Sequence, residues 1–280
     1  MPIFTRQQLR RTLGQSHVRD TYVGSVTGST GLANFSLNIL DAVVADLRLS
    51  GQNRYVGAWL FHTGPAGEIR VASFNCGSGA YVAVQNSQFA GNYPSGMEYE
   101  RHEVLSPTDK NRAIDDAVKR LRVRREVALA TVEGLTTYTL DGAASPNVIL
   151  EVLDAYYFAD PGSSLDRDHR EVITARPVTT ASGWELRIDR GLAASQQLVL
   201  DAVLALTLGA ADTATVNLPD ERLVLYGAEA KCWDLVARQA PRAAADEYRK
   251  LRDEAARAYS QLAARFKVPV DRPVGFEEPF

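Results

Sequence analysis

Cysteine is nearly missing from this chain: Cys76 and Cys232 are the only two in 280 residues, far apart and in segments of different character. That excludes a disulfide framework and a CxxC metal or redox site, and fits synthesis in a reducing cytoplasm. No run of about 18 apolar residues occurs, so a membrane-spanning helix is not expected. The first residues, Met1-Pro2-Ile3-Phe4-Thr5-Arg6-Gln7, lack the basic stretch, apolar run and small-residue cleavage site of a signal peptide, and secretion is not expected either. An excess of positive charge is also missing, because 31 Lys and Arg face 34 Asp and Glu. Proteins whose affinity rests on neutralising phosphates usually carry a basic excess, so any nucleic-acid contact here must be local. What remains is ordinary globular material, 45% hydrophobic and 23% charged, enough for one large core or two to three modest ones.

The order of patterns predicts an α+β fold, in which β-sandwich or partial-barrel regions combine with a helical bundle. A short helix is expected within residues 1–21, capped by Thr5, with Leu9 and Leu13 on one face and Gly14 as its end. Residues 22–104 read as β-rich, with strands at Tyr22–Val26, Tyr55–Phe61, Ile69–Phe74 and Tyr81–Val84, the middle pair joined as a hairpin through His62–Gly67. Residues 105–125 begin with Ser106-Pro107-Thr108-Asp109, where serine caps and proline takes the first helical position. That helix should run to about Leu121 with Ala113, Ile114, Ala117, Val118 and Leu121 as its apolar stripe.

Residues 126–217 read as a second, sandwich-like β region, with strands at Val148–Phe158, Arg170–Ile173, Gly183–Ile188 and Gln197–Leu206, the last of which is an apolar run that a helix would fit equally. Residues 218–266 form a helical hairpin: Pro219 opens one helix to about Arg238, and Pro241 separates it from a second. The second carries Tyr248, Leu251, Ala255, Ala258, Leu262 and Phe266 at three- and four-residue spacing. Asp246 with Lys250, and Asp253 with Arg257, are the surface ion pairs this spacing predicts. Residues 267–280 cannot be helical and read as an extended arm.

Motifs for chemistry are sparse. The stretch Gly24-Ser25-Val26-Thr27-Gly28-Ser29-Thr30-Gly31 has no GxxxxGK[ST] lysine and reads as a flexible loop between strands rather than a phosphate cradle. His17, His62, His102 and His169 are scattered singly, without zinc-ligand spacing. Cys76 lies in a turn and Ser78 is not in a G-x-S-x-G elbow, so nucleophilic catalysis lacks local support. The pairs Asp115-Asp116, Asp220-Glu221 and Glu277-Glu278 sit where helix starts, helix surfaces and the arm account for them. The expectation is no catalytic residue, no metal and no cofactor. Tyr156, Tyr157 and Phe158 read as strand core, and Trp184 and Trp233 as core anchors.

Two features invite a partner. Lys119, Arg120, Arg122, Arg124 and Arg125 form the one concentrated basic cluster. It is read either as helix termination plus solvation or as a contact with DNA in a channel or with an acidic patch on a neighbouring subunit. The arm carries Val268, Pro269, Val270, Arg272, Pro273, Val274, Phe276 and Phe280, mostly apolar residues that gain energy only when docked, and it is read either as a partner-binding arm or as a disordered end.

The pattern Tyr99-Glu100-Arg101-His102-Glu103-Val104-Leu105-Ser106-Pro107-Thr108-Asp109-Lys110-Asn111-Arg112-Ala113 follows a Gly-Ala-Trp strand and an Arg-Val-Ala-Ser-Phe strand. Together with Leu218-Pro219-Asp220-Glu221-Arg222-Leu223 leading through Gly227-Ala228-Glu229-Ala230, it resembles the head-to-tail connector (adaptor or neck) proteins of tailed bacteriophages. The resemblance implies a structural virion protein, not an enzyme, assembled in the host cytoplasm and located in the virion neck. It implies a ring of roughly twelve copies under the portal protein, continuing the DNA channel and meeting a stopper, tail-tube or tail-terminator protein. Residues 268–280 would then be a portal-binding arm, and the basic cluster would touch packaged DNA transiently or a neighbouring copy. The length and two β regions depart from the simplest such adaptors and leave a stopper or collar role open. The alternative is a tail or baseplate β-sandwich module that recognises host glycans; a hydrolase is the third reading.

Overall fold

The computed structural model describes residues 2–25, 28–33, 36–40, 58–61, 68–75, 81–85, 98–145, 147–158, 170–180, 183–194 and 196–266. Helices and antiparallel sheets both occur, and the fold is α+β as the patterns predict. The chain divides into two compact units, and the division is not sequential. Unit 1 consists of Met1–Ala117 and Gly209–Leu262; unit 2 consists of Val118–Leu208 and Ala263–Phe280. The helical hairpin, through Leu262, falls in the same unit as the first part of the chain.

Unit 1 opens with β1 (Ile3–Thr5) and α1 (Arg6–Thr12). Thr5 caps α1 through a full capping box: its Oγ1 accepts from the Gln8 amide, and Gln8 Oε1 accepts from the Thr5 amide. Gly14 does not end the helix. The chain continues as a π-helical turn over Leu13–His17, and Gly14 is there for close approach, since a Cβ at this position would stand 2.5 Å from Thr21 Cβ. Arg19, at φ 57°, then turns the chain into β2 (Thr21–Ser25).

A seven-stranded sheet runs in the order β2-β8-β5-β6-β7-β4-β3. It comprises β3 (Gly28–Ala33), β4 (Ser36–Leu40), β5 (Trp59–Phe61), β6 (Glu68–Asn75), β7 (Tyr81–Gln85) and β8 (Glu98–His102) beside β2. The predicted hairpin is present, with Trp59 opposite Arg70 and Phe61 opposite Glu68. The glycine-rich stretch is strand at both ends: Gly24 lies in β2, and Gly28 to Gly31 open β3, paired antiparallel with β4, while Val26 and Thr27 lie outside the described residues. Backbone pairing there outweighs the poor strand propensity of glycine. His62, Cys76 and Ser78 lie outside the described residues.

Helix α2 (Pro107–Arg120) starts as its sequence dictates. Ser106 Oγ accepts from the Asp109 amide at 3.0 Å and donates to the Asp109 carboxylate, and the predicted stripe from Ala113 to Leu121 is buried. After unit 2 the chain returns through a turn at Ala211–Ala214 to β16 (Thr215–Asn217), which pairs with β1. Helix α3 (Arg222–Gln239) begins three residues after Pro219, with Glu221 at the N-cap position and the Arg222 amide donating to the Asp220 carboxylate just ahead of it. Helix α4 (Arg242–Phe266) follows Pro241. The two helices lie side by side through Trp233 stacked on Tyr248 and through Arg252 near Asp234. The predicted surface pairs are exchanged for nearer ones: Asp246 binds Arg249, and Asp253 binds Arg252 while Arg257 reaches the Asp253 carbonyl.

Unit 2 holds two antiparallel sheets, in the orders β12-β11-β15-β9 and β10-β14-β13. The strands are β9 (Arg122–Ala130), β10 (Thr137–Thr139), β11 (Val148–Phe158), β12 (Arg170–Val172), β13 (Ala175–Thr180), β14 (Gly183–Ile188) and β15 (Gln197–Ala205). Residues from both sheets share one core, among them Leu129, Tyr157, Leu186, Leu198 and Leu200. Two register shifts interrupt β11, so its core-facing residues are Ile149, Val152, Ala155 and Tyr157, opposite Leu204, Ala202, Leu200 and Leu198. Tyr156 and Phe158 are buried as predicted, with Val199. Trp184 is not a core anchor: at the end of β14 it remains 37% exposed.

Gly14→Ala is expected to destabilise unit 1 by about 1–3 kcal/mol, the range for overpacking a filled site. A lowered urea midpoint with unchanged slope checks it.

Candidate functional site: a buried ionic cluster

The densest chemistry lies inside unit 1, where α1, β2, β8, α2 and the turn at Ala211–Ala214 converge. Arg10 is wholly buried. Its Nε and Nη2 donate to Glu100 at 2.7 and 3.0 Å, and its Nη1 and Nη2 donate to Asp212 at 2.6 and 2.9 Å. Nη1 also reaches Asn111 Oδ1 at 3.2 Å, so each of the five guanidinium protons has an acceptor. The Phe61 ring lies against the guanidinium, 4.2 Å from Cζ to centroid.

Glu100 is shared. Besides Arg10 it accepts from Arg11 Nε at 3.0 Å and from His102 Nε2 at 3.1 Å. Burial by itself raises a carboxyl, but the hydrogen bonds from His102 and Arg10 outweigh it and hold Glu100 at about 2. Burial also lowers Arg10, yet Asp212 and Glu100 prevail and keep it above its ordinary range.

On the far side of His102 lies Lys110, also wholly buried. Its Nζ donates to Asp20 Oδ1, to Thr21 Oγ1 at 2.7 Å and to His102 Nδ1 at 2.8 Å. The neighbouring ammonium assigns the imidazole tautomer: Nδ1 accepts, and the proton on Nε2 is given to Glu100. Burial pulls His102 below its ordinary value, against the opposing pull of Glu100, and burial likewise lowers Lys110 against Asp20. Asp20 completes the arrangement by accepting from the Leu105 amide at 3.1 Å, which ties β2 to the start of α2. Cys232 of α3 is buried nearby, and burial raises its thiol to about 12, so it stays protonated. Arg6 extends the cluster outward, donating to Asp115 at 2.5 Å and to the Gly209 carbonyl at 2.8 Å.

Every proton of Arg10 and Lys110 is thus taken by this chain's own acceptors. Such an arrangement can clamp elements and titrate as a group, and it offers no unfilled coordination. Among the described residues there is no group of His, Cys, Asp or Glu placed to hold a metal ion.

Sequence reasoning singled out His102, Asp115 and Cys232 of this set, each apart from the others and none as part of a site. The available signal was a charge on an apolar stripe. Lys110 lies four residues before Ile114 and seven before Ala117, and Arg6 and Arg10 run beside Leu9 and Leu13. His17, also read as isolated, donates from Nδ1 to the Glu229 carboxylate at 2.7 Å with its ring edge-on to Tyr226, while His169 lies outside the described residues.

The basic cluster of unit 2 is dispersed by the strand it enters. Lys119 and Arg120 are exposed in the last turn of α2, and Arg122 Nη1 turns back to the Lys119 carbonyl at 2.6 Å, a helix-terminating contact. Arg124 and Arg125 project to opposite faces of β9. Arg124 grips Asp201 through Nε at 2.8 and 2.9 Å, which sets it above its ordinary value. Asp201 stands between Glu126 on β9 and Asp154 on β11, three carboxylates in a row across the sheet. Arg124 therefore offsets local repulsion. The arm residues Val268, Pro269, Val270, Arg272, Pro273, Val274, Phe276 and Phe280 lie outside the described residues.

No family model, no curated protein and no solved structure matches this chain. No helix among the described residues is long and apolar enough to cross a membrane.

Two outcomes follow from the cluster. Lys110→Met leaves Asp20 buried without a counter-charge and should cost about 3–5 kcal/mol, with part recovered when Asp20→Asn is added; a double-mutant cycle by urea denaturation measures both. The pH dependence has a definite sign. His102 titrates at 6.5 when exposed and lower when folded, so the unfolded chain gains a proton first and stability falls as pH drops below 6.5. Glu100 adds a second loss between its ordinary 4.5 and about 2. His102→Gln, which keeps one donor and one acceptor, should flatten the pH 6.5 to 5 segment by up to about 1.4 kcal/mol per pH unit.

Proposed function

We propose that this protein is a structural assembly protein of the virion neck in a tailed phage, a head-to-tail adaptor ring that joins the portal protein to the tail and continues the DNA channel. The observation that carries the reading is the apolar surface of unit 2. The register shifts in β11 free Leu150 and Leu153 from the core, leaving them 37% and 44% exposed. Val148 on the same strand and Val172 on β12 are more than half exposed. A protein leaves several large apolar side chains along one strand pair in water when a neighbour covers them. Repeated heterologous contact of this kind closes a ring.

The saturated cluster of unit 1 supports the same reading, because its charges stabilise a scaffold and reserve no group for a substrate. The mixed charge of β9 and β15 suits a channel wall or subunit contact that touches packaged DNA transiently rather than gripping it. The portal protein, neighbouring copies and a stopper, tail-tube or tail-terminator protein are the partners this role requires. Trp184 is the one aromatic among the exposed large hydrophobic side chains of the described residues, which gives the glycan-binding alternative little to work with.

Leu150→Arg with Leu153→Arg should leave the thermal midpoint within a few degrees of the parent, since neither residue is buried, and should abolish ring formation. Mass photometry of the parent and variant, alone and with portal rings, reads this. A parent that stays monomeric and does not bind portal rings sinks the adaptor reading.

A further inference from the structure

The sheet edges of unit 2 are unequal. Strands β10 and β12 are edges of three residues each, and β13, an edge of six, contains Pro177. Strand β9 is an edge of nine residues with neither proline nor glycine, paired among the described residues with β15 alone. Long regular edges expose a row of backbone donors and acceptors, and proteins normally cover or interrupt them. The side chains of β9 alternate: Val123, Val127 and Leu129 are buried with Arg125 half-buried among them on the same face, while Arg124, Glu126, Ala128 and Ala130 are exposed.

Residues 268–280 have the matching pattern in their sequence. The even positions are Val268, Val270, Arg272, Val274, Phe276, Glu278 and Phe280, and the odd positions hold Pro269, Asp271, Pro273, Gly275, Glu277 and Pro279. That is strand periodicity, with apolar side chains dominating one face. All three prolines are odd. In a strand, alternate residues direct their N–H and C=O to opposite edges, so the prolines remove donors from one edge only and leave the even edge with every N–H. Such a segment can add to a sheet once and cannot be extended.

We propose that the segment 268–280 of one copy adds to β9 of a neighbouring copy as an extra edge strand. Its even residues bond to β9, its valines and Phe276 continue the buried face of Val123, Val127 and Leu129, and Asp271 and Glu277 fall on the face of Arg124. The prolines face outward and close the edge. This rests on the assembly reading above, since it requires a second copy, and it assigns the arm to the ring rather than to the portal.

Hydrogen exchange tests it on the full assembled chain and on a chain ending at Phe266. Amides of β9 are expected to be protected in the assembly, to lose at least about tenfold of that protection when 267–280 is removed, and to regain it with a synthetic peptide of residues 267–280. A peptide with Pro269 and Val270 exchanged, and Pro273 and Val274 exchanged, should not protect. Unchanged protection of β15 shows that the shortened chain is still folded. Equal protection by both peptides, or β9 exchange indifferent to the arm, overturns the proposal, as does protection that persists in an isolated monomer. A full-length chain that forms rings while its β9 stays unprotected would overturn this strand exchange and leave the adaptor reading standing.

Discussion

The guanidinium of Arg10, closed between Glu100 and Asp212, is the contact on which unit 1 depends. It joins the first helix, a sheet strand and a turn that follows some two hundred residues later. The chain leaves unit 1 after Ala117 and re-enters at Gly209, and nothing in local propensity says where the returning segment should lie. Arg10 holds it through Asp212, Arg6 holds it through the Gly209 carbonyl, and the pairing of β1 with β16 completes the fastening. Burying so many charges is expensive, and an apolar replacement of equal volume could be as stable. What the charges add is selectivity. A returning segment in any other register would leave Arg10 or Glu100 buried without a partner.

The same logic links Arg10 to Lys110. Glu100 accepts from both Arg10 and His102, and His102 accepts from Lys110, which is bound to Asp20. Two ion pairs therefore communicate through one neutral imidazole. Its neutrality is a consequence of burial beside an ammonium group. Unit 2 uses a different device. Its core is apolar, and its polar economy lies on the outer face of the four-stranded sheet, where Arg124 balances a row of carboxylates contributed by three strands. The two units thus differ in what specifies them: charge complementarity in one, register and bulges in the other.

Local physics was readable residue by residue. Thr5 and Ser106 marked helix starts, the Ala113–Leu121 stripe marked a buried face, and β11 and β14 were legible as strands, while the apolar run of β15 fitted helix or strand until its pairing decided. These features depend on neighbours within a few positions, which is why they survive reading in one dimension. The inward residues of β11 were harder, because its two bulges replace a period of two by steps of three at Ile149, Val152 and Ala155.

Only folding in three dimensions decided the rest. Arg10, Asp20, Glu100, Lys110 and Asp212 are unremarkable charges along the chain, and a run of five basic residues around β9 looked like a patch. Strand alternation separated the basic residues onto different faces, and long-range contacts gathered the scattered charges into one buried cluster. The strength of an ion pair depends on distance and on exclusion of water, and neither is a property of sequence separation.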